Sequence, residues 1–202
     1  MVITTISENQ KKSIMPNFYL DIETTGLDPQ NSKIITIQFA KLHDTTSQQI
    51  GELQILKEWE SSEKEILRQF AIQSEITHSY PFSFISVGFN LQFEHNFFIQ
   101  RCKANELEPI DIFNKPHLDI KPFAVIMNNG QFKGSGLDKI TGKSHGGGII
   151  PQWYSERKYN EIEDYIKKEA AEFINLCVWL YKELPALLVK FKTDNHIEKS
   201  FI

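Results

Sequence analysis

The sequence predicts an α/β fold, a mixed β-sheet flanked by helices. Three strand-like segments come first, helix and strand signals then alternate, and the chain closes on a long amphipathic helix. In the first segment, residues 18–23, Phe18, Leu20 and Ile22 fall on one face and Tyr19, Asp21 and Glu23 on the other. Turn chemistry at residues 25–29 leads to a second strand over 34–42. Residues 51–56 supply a third, giving an antiparallel meander. A helix is expected over 63–76, with Ile66, Leu67, Phe70 and Ile76 apolar and Ser61 or Ser62 as its cap. Residues 84–89 read as a short buried strand, 91–105 as a helix and 117–120 as a further strand. Short helical pieces are expected within 121–141, broken at 128–136, and residues 146–148 read as a loop. Ile162, Ile166, Ala170, Phe173, Cys177 and Leu180 then recur at helical spacing, marking a long amphipathic helix that should end near Pro185.

A length of 202 residues suits one domain, placed at 17–190, between a polar N-terminal arm over 1–16 and a polar C-terminal tail over 191–202. No apolar run approaches the roughly 20 residues that span a bilayer, and residues 1–12 lack a secretory signal pattern. Cys102 and Cys177 are too far apart for metal-ligand spacing and fit reduced thiols in a cytoplasmic protein. The net charge of -4 argues against a protein that coats long duplex DNA, because such binders present broad Lys/Arg surfaces. An enzyme that grips a few nucleotides through bound metal needs only a local basic rim, so nucleic acid stays open as a partner.

Chemistry concentrates in three places. Asp21 and Glu23 stand two apart on a strand and project from the same face. Adjacent carboxylates repel unless a proton or cation lies between them, and Mg²⁺ and Mn²⁺ prefer oxygen ligands. The stretch Tyr19-Leu-Asp-Ile-Glu-Thr-Thr-Gly-Leu-Asp-Pro29 resembles the first motif of the DEDD 3′–5′ exonuclease superfamily, whose fold is ribonuclease-H-like. Val87-Gly-Phe-Asn-Leu-Gln-Phe-Glu-His-Asn-Phe97 resembles the second, N-x-x-F-D, with Asn90 and Phe93 in place and Glu94 where the motif has Asp. Tyr165-Ile-Lys-Lys-Glu169 resembles the Y-x3-D form of the third motif, again with Glu for Asp. The spacing i, i+4 sets Tyr165 and Glu169 on one helix face. The alternative H-x4-D form fails, because Asp164 stands where its His belongs. The resemblance is therefore to the tyrosine branch, related to polymerase proofreading domains and YprB-like nucleases. Each Asp-to-Glu change keeps the charge but moves the carboxylate outward by on the order of 1.5 Å.

The resemblance, over about residues 17–181, implies a 3′–5′ exonuclease that uses two Mg²⁺ or Mn²⁺ ions on single-stranded DNA or RNA with a free 3′ end. It implies Asp21, Glu23, Glu94 and Glu169 as metal ligands, with Tyr165 positioning the attacking water. Thr24, Leu27, Asn90 and Phe93 would contact substrate, and Asp119, in the segment His117-Leu-Asp119, would have a structural or secondary role. A rival reading is a nuclease-like module that binds nucleic acid or protein without turnover, and a third is an endonuclease using the same metals. Residues 136–144 superficially match a phosphate-cradling P-loop. They have five residues between the first Gly and Gly142 where that loop has four, and no strand leads into them. His145, in the same loop region, reads as solvent-exposed.

Overall fold

The computed structural model describes residues 17–141 and 147–195. Strand β1 (Asn17–Thr24) lies at the centre of a five-stranded sheet of order β3-β2-β1-β4-β5. Its alternation explains that position. Leu20 and Ile22 enter one buried cluster, while Tyr19 enters another on the opposite face. The strands β2 (Ile34–Leu42) and β3 (Gln49–Lys57) complete the antiparallel meander. The strands β4 (Ile85–Gly88) and β5 (His117–Asp119) run parallel to β1. Parallel strands bring the C-terminal end of β1 and the turns after β4 and β5 to one edge of the sheet, where open α/β sheets bind ligands.

The helices divide between the faces. α1 (Glu63–Ser74) and α2 (Gln92–Ala104) cover the face of Leu20 and Ile22 through Ile66, Leu67, Phe70, Phe97 and Phe98. Ser62 caps α1, its hydroxyl accepting from the Glu65 amide at 3.2 Å. The short helices α3 (Lys121–Met127), α4 (Leu137–Thr141) and α5 (Ile150–Ser155) lead to α6 (Tyr159–Asp194), which covers the other face. No described helix is long and apolar enough to cross a membrane.

Two elements differ from the sequence expectation. α5 falls where no helix was expected, in a stretch too short to show a period, with Pro151 in its first turn and Ile150 buried. α6 does not stop at Pro185 but runs on to Asp194. A proline inside a helix costs about 3 kcal/mol. Here the apolar stripe continues beyond it, with Leu187 packed on the α6 core and the Phe191 ring beside Gly130. Residues 191–194, expected in the polar tail, are therefore helical. The expected N-terminal arm, His145 and Gly146 lie outside the described residues.

One ion pair, with Glu63 buried and Arg101 half-buried, ties the loop between β1 and β2 to the helices. Glu63 accepts from the Ile34 amide at 2.8 Å, from Arg101 Nε at 2.9 Å and Nη2 at 2.8 Å, and from Asn105 Nδ2 at 3.0 Å. Arg101 Nη1 also donates to the Pro29 carbonyl at 3.3 Å, anchoring the loop between β1 and β2. Removing one partner of such a pair strands the other. Glu63→Ala is expected to lower unfolding free energy by about 3–5 kcal/mol, read by urea denaturation; a loss below about 1 kcal/mol would show that solvent replaces the carboxylate.

Candidate active site

β1 sets Asp21 and Glu23 on the face that α6 covers, and α6 brings Glu169 onto them. One carboxylate oxygen from each of these three residues lies within 4.8 Å of the other two. Tyr165, one turn earlier on α6 and 8% exposed, shares this site. Burial raises its phenol pKa, and the charges of Glu169, Glu23 and Asp21 raise it further. Trp153 of α5 meets the Tyr165 ring edge-on at 6.3 Å. A Cβ at Gly147 would lie 3.5 Å from the Tyr165 hydroxyl and 3.6 Å from Glu23 Oε2, so the segment before α5 passes close over the site.

Glu94 comes from the first turn of α2 and is only 3% exposed. Burial holds its carboxyl pKa well above the usual range, and the neighbouring charges of Asp21 and Asp119 add to this. Its Oε2 is buried with no hydrogen-bond donor among the described residues. Asp21 is pushed up to about 7, first by burial and then by the Glu169 charge. Hydrogen bonds from Gln38, the Ile22 backbone and Tyr19 pull the other way.

Crowded carboxylates, one with an orphaned buried oxygen, form the all-oxygen donor set that hard divalent cations take. The residues fit such an ion: Asp21, Glu23 and Glu169 as one group, Asp21 with Glu94 beside it.

The remaining sequence-derived residues have distinct surroundings. Asn90, two residues past β4, sits in the left-handed region (φ 68°), and its Oδ1 accepts from Lys121 Nζ at 2.8 Å. Asp119 holds this turn, with Oδ1 accepting from the Asn90 and Lys121 amides at 2.8 and 2.9 Å and Oδ2 from the Leu91 amide at 3.1 Å. Asp119 thereby shapes the turn beside Glu94. Thr24 is buried and donates to the Gly26 carbonyl at 2.6 Å, shaping the turn. Leu27 is 86% exposed at that turn. Phe93 is half-buried against the α1–α2 core, 4.7 Å from the Phe97 ring, and so is partly committed to packing.

Sequence reasoning missed Tyr19 and Gln38, which both hydrogen-bond Asp21, and Lys121 beside Asn90. A signal for Gln38 was present: Thr36 and Gln38 are the polar residues in an otherwise apolar run from Ile34 to Ala40.

The RNase_H superfamily model matches residues 18–181, most of the chain, and the chain belongs to that family. Its fold is similar to that of E. coli exonuclease I. The zinc-bound complex of that protein with ssDNA aligns at a TM-score of 0.53 and 12% identity, over 87% of this chain and 42% of that one. Its complex with a dT13 oligonucleotide aligns at 0.55 and 12%, over 87% and 43%. The chain thus spans well under half the length of exonuclease I. No curated protein matches its sequence.

The site generates a pH dependence. A carboxyl whose folded pKa, about 7, exceeds its unfolded value near 3.8 binds more protons folded than unfolded between those limits. Stability therefore falls as pH rises from about 4 to about 7. A cation competes with that proton, so its stabilising effect grows over the same range. Metal-free protein is expected to melt lower at pH 8 than at pH 5.5, and Mn²⁺ should raise the pH 8 midpoint by about 5–10 °C. Asp21→Asn should raise the metal-free midpoint and lose the response to Mn²⁺. Melting curves indifferent to pH and to millimolar Mn²⁺ would remove the site.

Proposed function

We propose that this chain is a two-metal-dependent 3′–5′ exonuclease of the tyrosine branch, acting on single-stranded 3′ ends of DNA or RNA. The observation that carries this reading is the convergence of Asp21, Glu23 and Glu169 beside Tyr165, with buried Glu94 next to Asp21. The exonuclease I structures solved with single-stranded DNA, one of them with zinc, support a single strand and a divalent ion for this chain as well. The buried free thiols Cys102 and Cys177 suit a reducing, cytoplasmic setting.

Two Mg²⁺ or Mn²⁺ ions, when bound, supply an acidified water and stabilise both attacking and leaving oxygens of an in-line displacement. Asp21 would be shared between them, Glu23 and Glu169 completing one and Glu94 the other. The Tyr165 phenol, its pKa raised by burial first and then by the neighbouring carboxylates, would donate a hydrogen bond that orients the attacking water. Lys121 occupies Asn90 Oδ1, which leaves the Asn90 amide NH2 to donate to the sugar–phosphate backbone. Leu27 is exposed for packing against a terminal base, and the uncovered part of Phe93 offers a second apolar contact. Thr24 holds the turn that presents Leu27.

Single-stranded DNA and RNA labelled at either end, incubated with and without Mn²⁺, test the reading. A ladder shortening from the 3′ end, with circular strands untouched, is expected. Cutting of a circle would instead mark an endonuclease, and no turnover with any metal would mark a binding module. Tyr165→Phe should slow degradation ten- to a thousandfold, about 1.4–4 kcal/mol, with little change in single-strand affinity. Glu94→Gln should nearly abolish turnover, whereas Glu94→Asp should keep it or improve it with Mg²⁺. Parent-like activity for Glu94→Gln would exclude Glu94 from the chemistry.

A further inference from the structure

We infer that Gln38, together with Tyr19, is a positioning group that fixes the Asp21 carboxylate for cation binding; the inference rests on the metal site proposed above. The register of the meander pairs Asp21 directly with Gln38, and Glu23 with Thr36. Gln38 is completely buried, at 0% exposure, in a strand whose other inward positions are mostly apolar. A buried primary amide is unfavourable unless both its ends are paired. Here both are: Oε1 accepts from the Thr36 hydroxyl at 3.0 Å, and Nε2 donates to Asp21 Oδ2 at 3.1 Å.

The chemistry of the partners sets the direction of this relay. A carboxylate only accepts, so the amide nitrogen faces Asp21, and the amide oxygen is left for a hydroxyl that can donate. The Tyr19 hydroxyl, on the strand position two before Asp21, donates to the same Oδ2 at 3.2 Å. Rotation about a carboxylate's terminal torsion is otherwise broad. Two side-chain donors on one oxygen restrain it, and both use Oδ2, on the carboxylate that faces Glu23 and Glu169. Gln38 is fully buried and Tyr19 nearly so, and each bonds Asp21, so each acts through Asp21. Removing a partner that orients a metal ligand lowers metal affinity about 10- to 100-fold.

The test is Mn²⁺ binding by the full chain, read as free Mn²⁺ by electron paramagnetic resonance. Gln38→Met keeps the side-chain length without a donor, and is expected to raise the Mn²⁺ dissociation constant about 10- to 100-fold. Turnover should recover toward the parent's as Mn²⁺ is raised, which a structural defect alone would not do. Tyr19→Phe removes the second donor and keeps the ring against Phe173, 5.2 Å away. It should weaken Mn²⁺ binding in the same direction, and it decides the matter if Gln38→Met does not fold. Unchanged Mn²⁺ affinity in both variants, even with lowered melting temperatures, overturns the inference and leaves the metal site standing. A parent that takes up no Mn²⁺ overturns the site and the inference together.

Discussion

The structure is organised around a repulsion. Four carboxyl groups, from β1, α2 and α6, meet at one site, Glu23 and Glu94 buried and Asp21 and Glu169 half-buried, and like charges held so close repel. Asp21 answers by keeping its proton to about pH 7, Glu94 by keeping its own far above the usual carboxylate range. Such crowding persists only where the surrounding fold over-determines it. The central strand does so, with its neighbours paired along both edges and its side chains packed into a core on each face.

The two faces divide the work. On one, α1 and α2 bury an aromatic core of Phe70, Phe84, Phe97 and Phe98, and the Glu63–Arg101 pair locks the turn after β1 against them. On the other, α6 buries Ile162, Ile166, Ala170, Phe173 and Cys177, and on the adjoining stripe it carries Tyr165 and Glu169. The same helix thus packs and delivers two of the site residues, and the apolar stripe fixes its rotation so that Glu169 meets Asp21 and Glu23. Stability drawn from the first face offsets the charge repulsion concentrated at the second.

Much of this was legible in the sequence because it rests on short-range periodicity. Alternation over residues 18–23 put Asp21 and Glu23 on one face, and the 3.6-residue period put Tyr165 and Glu169 on another. RNase_H superfamily membership bears out the expected fold. What stayed hidden depends on partners distant in sequence. Gln38 stood out as a polar residue in an apolar run, but its partner, Asp21, became visible only once the register of β1 and β2 was known. Lys121 acquired a role only when the parallel strands brought the turns after β4 and β5 together. The persistence of α6 past Pro185 is likewise a tertiary effect, since Leu187 and Phe191 pack against residues that local propensity does not see. Asp119 shows the converse: an acidic residue beside the site that is spent on backbone amides.

The most direct test of the central claim is anomalous diffraction from crystals of the protein grown with Mn²⁺. The account predicts two peaks about 3.5–4 Å apart, one among Asp21, Glu23 and Glu169 and one between Asp21 and Glu94, both lost in Asp21→Asn. A well-ordered structure with no Mn²⁺ at Asp21, its carboxyl groups sharing protons in place of a cation, would contradict it.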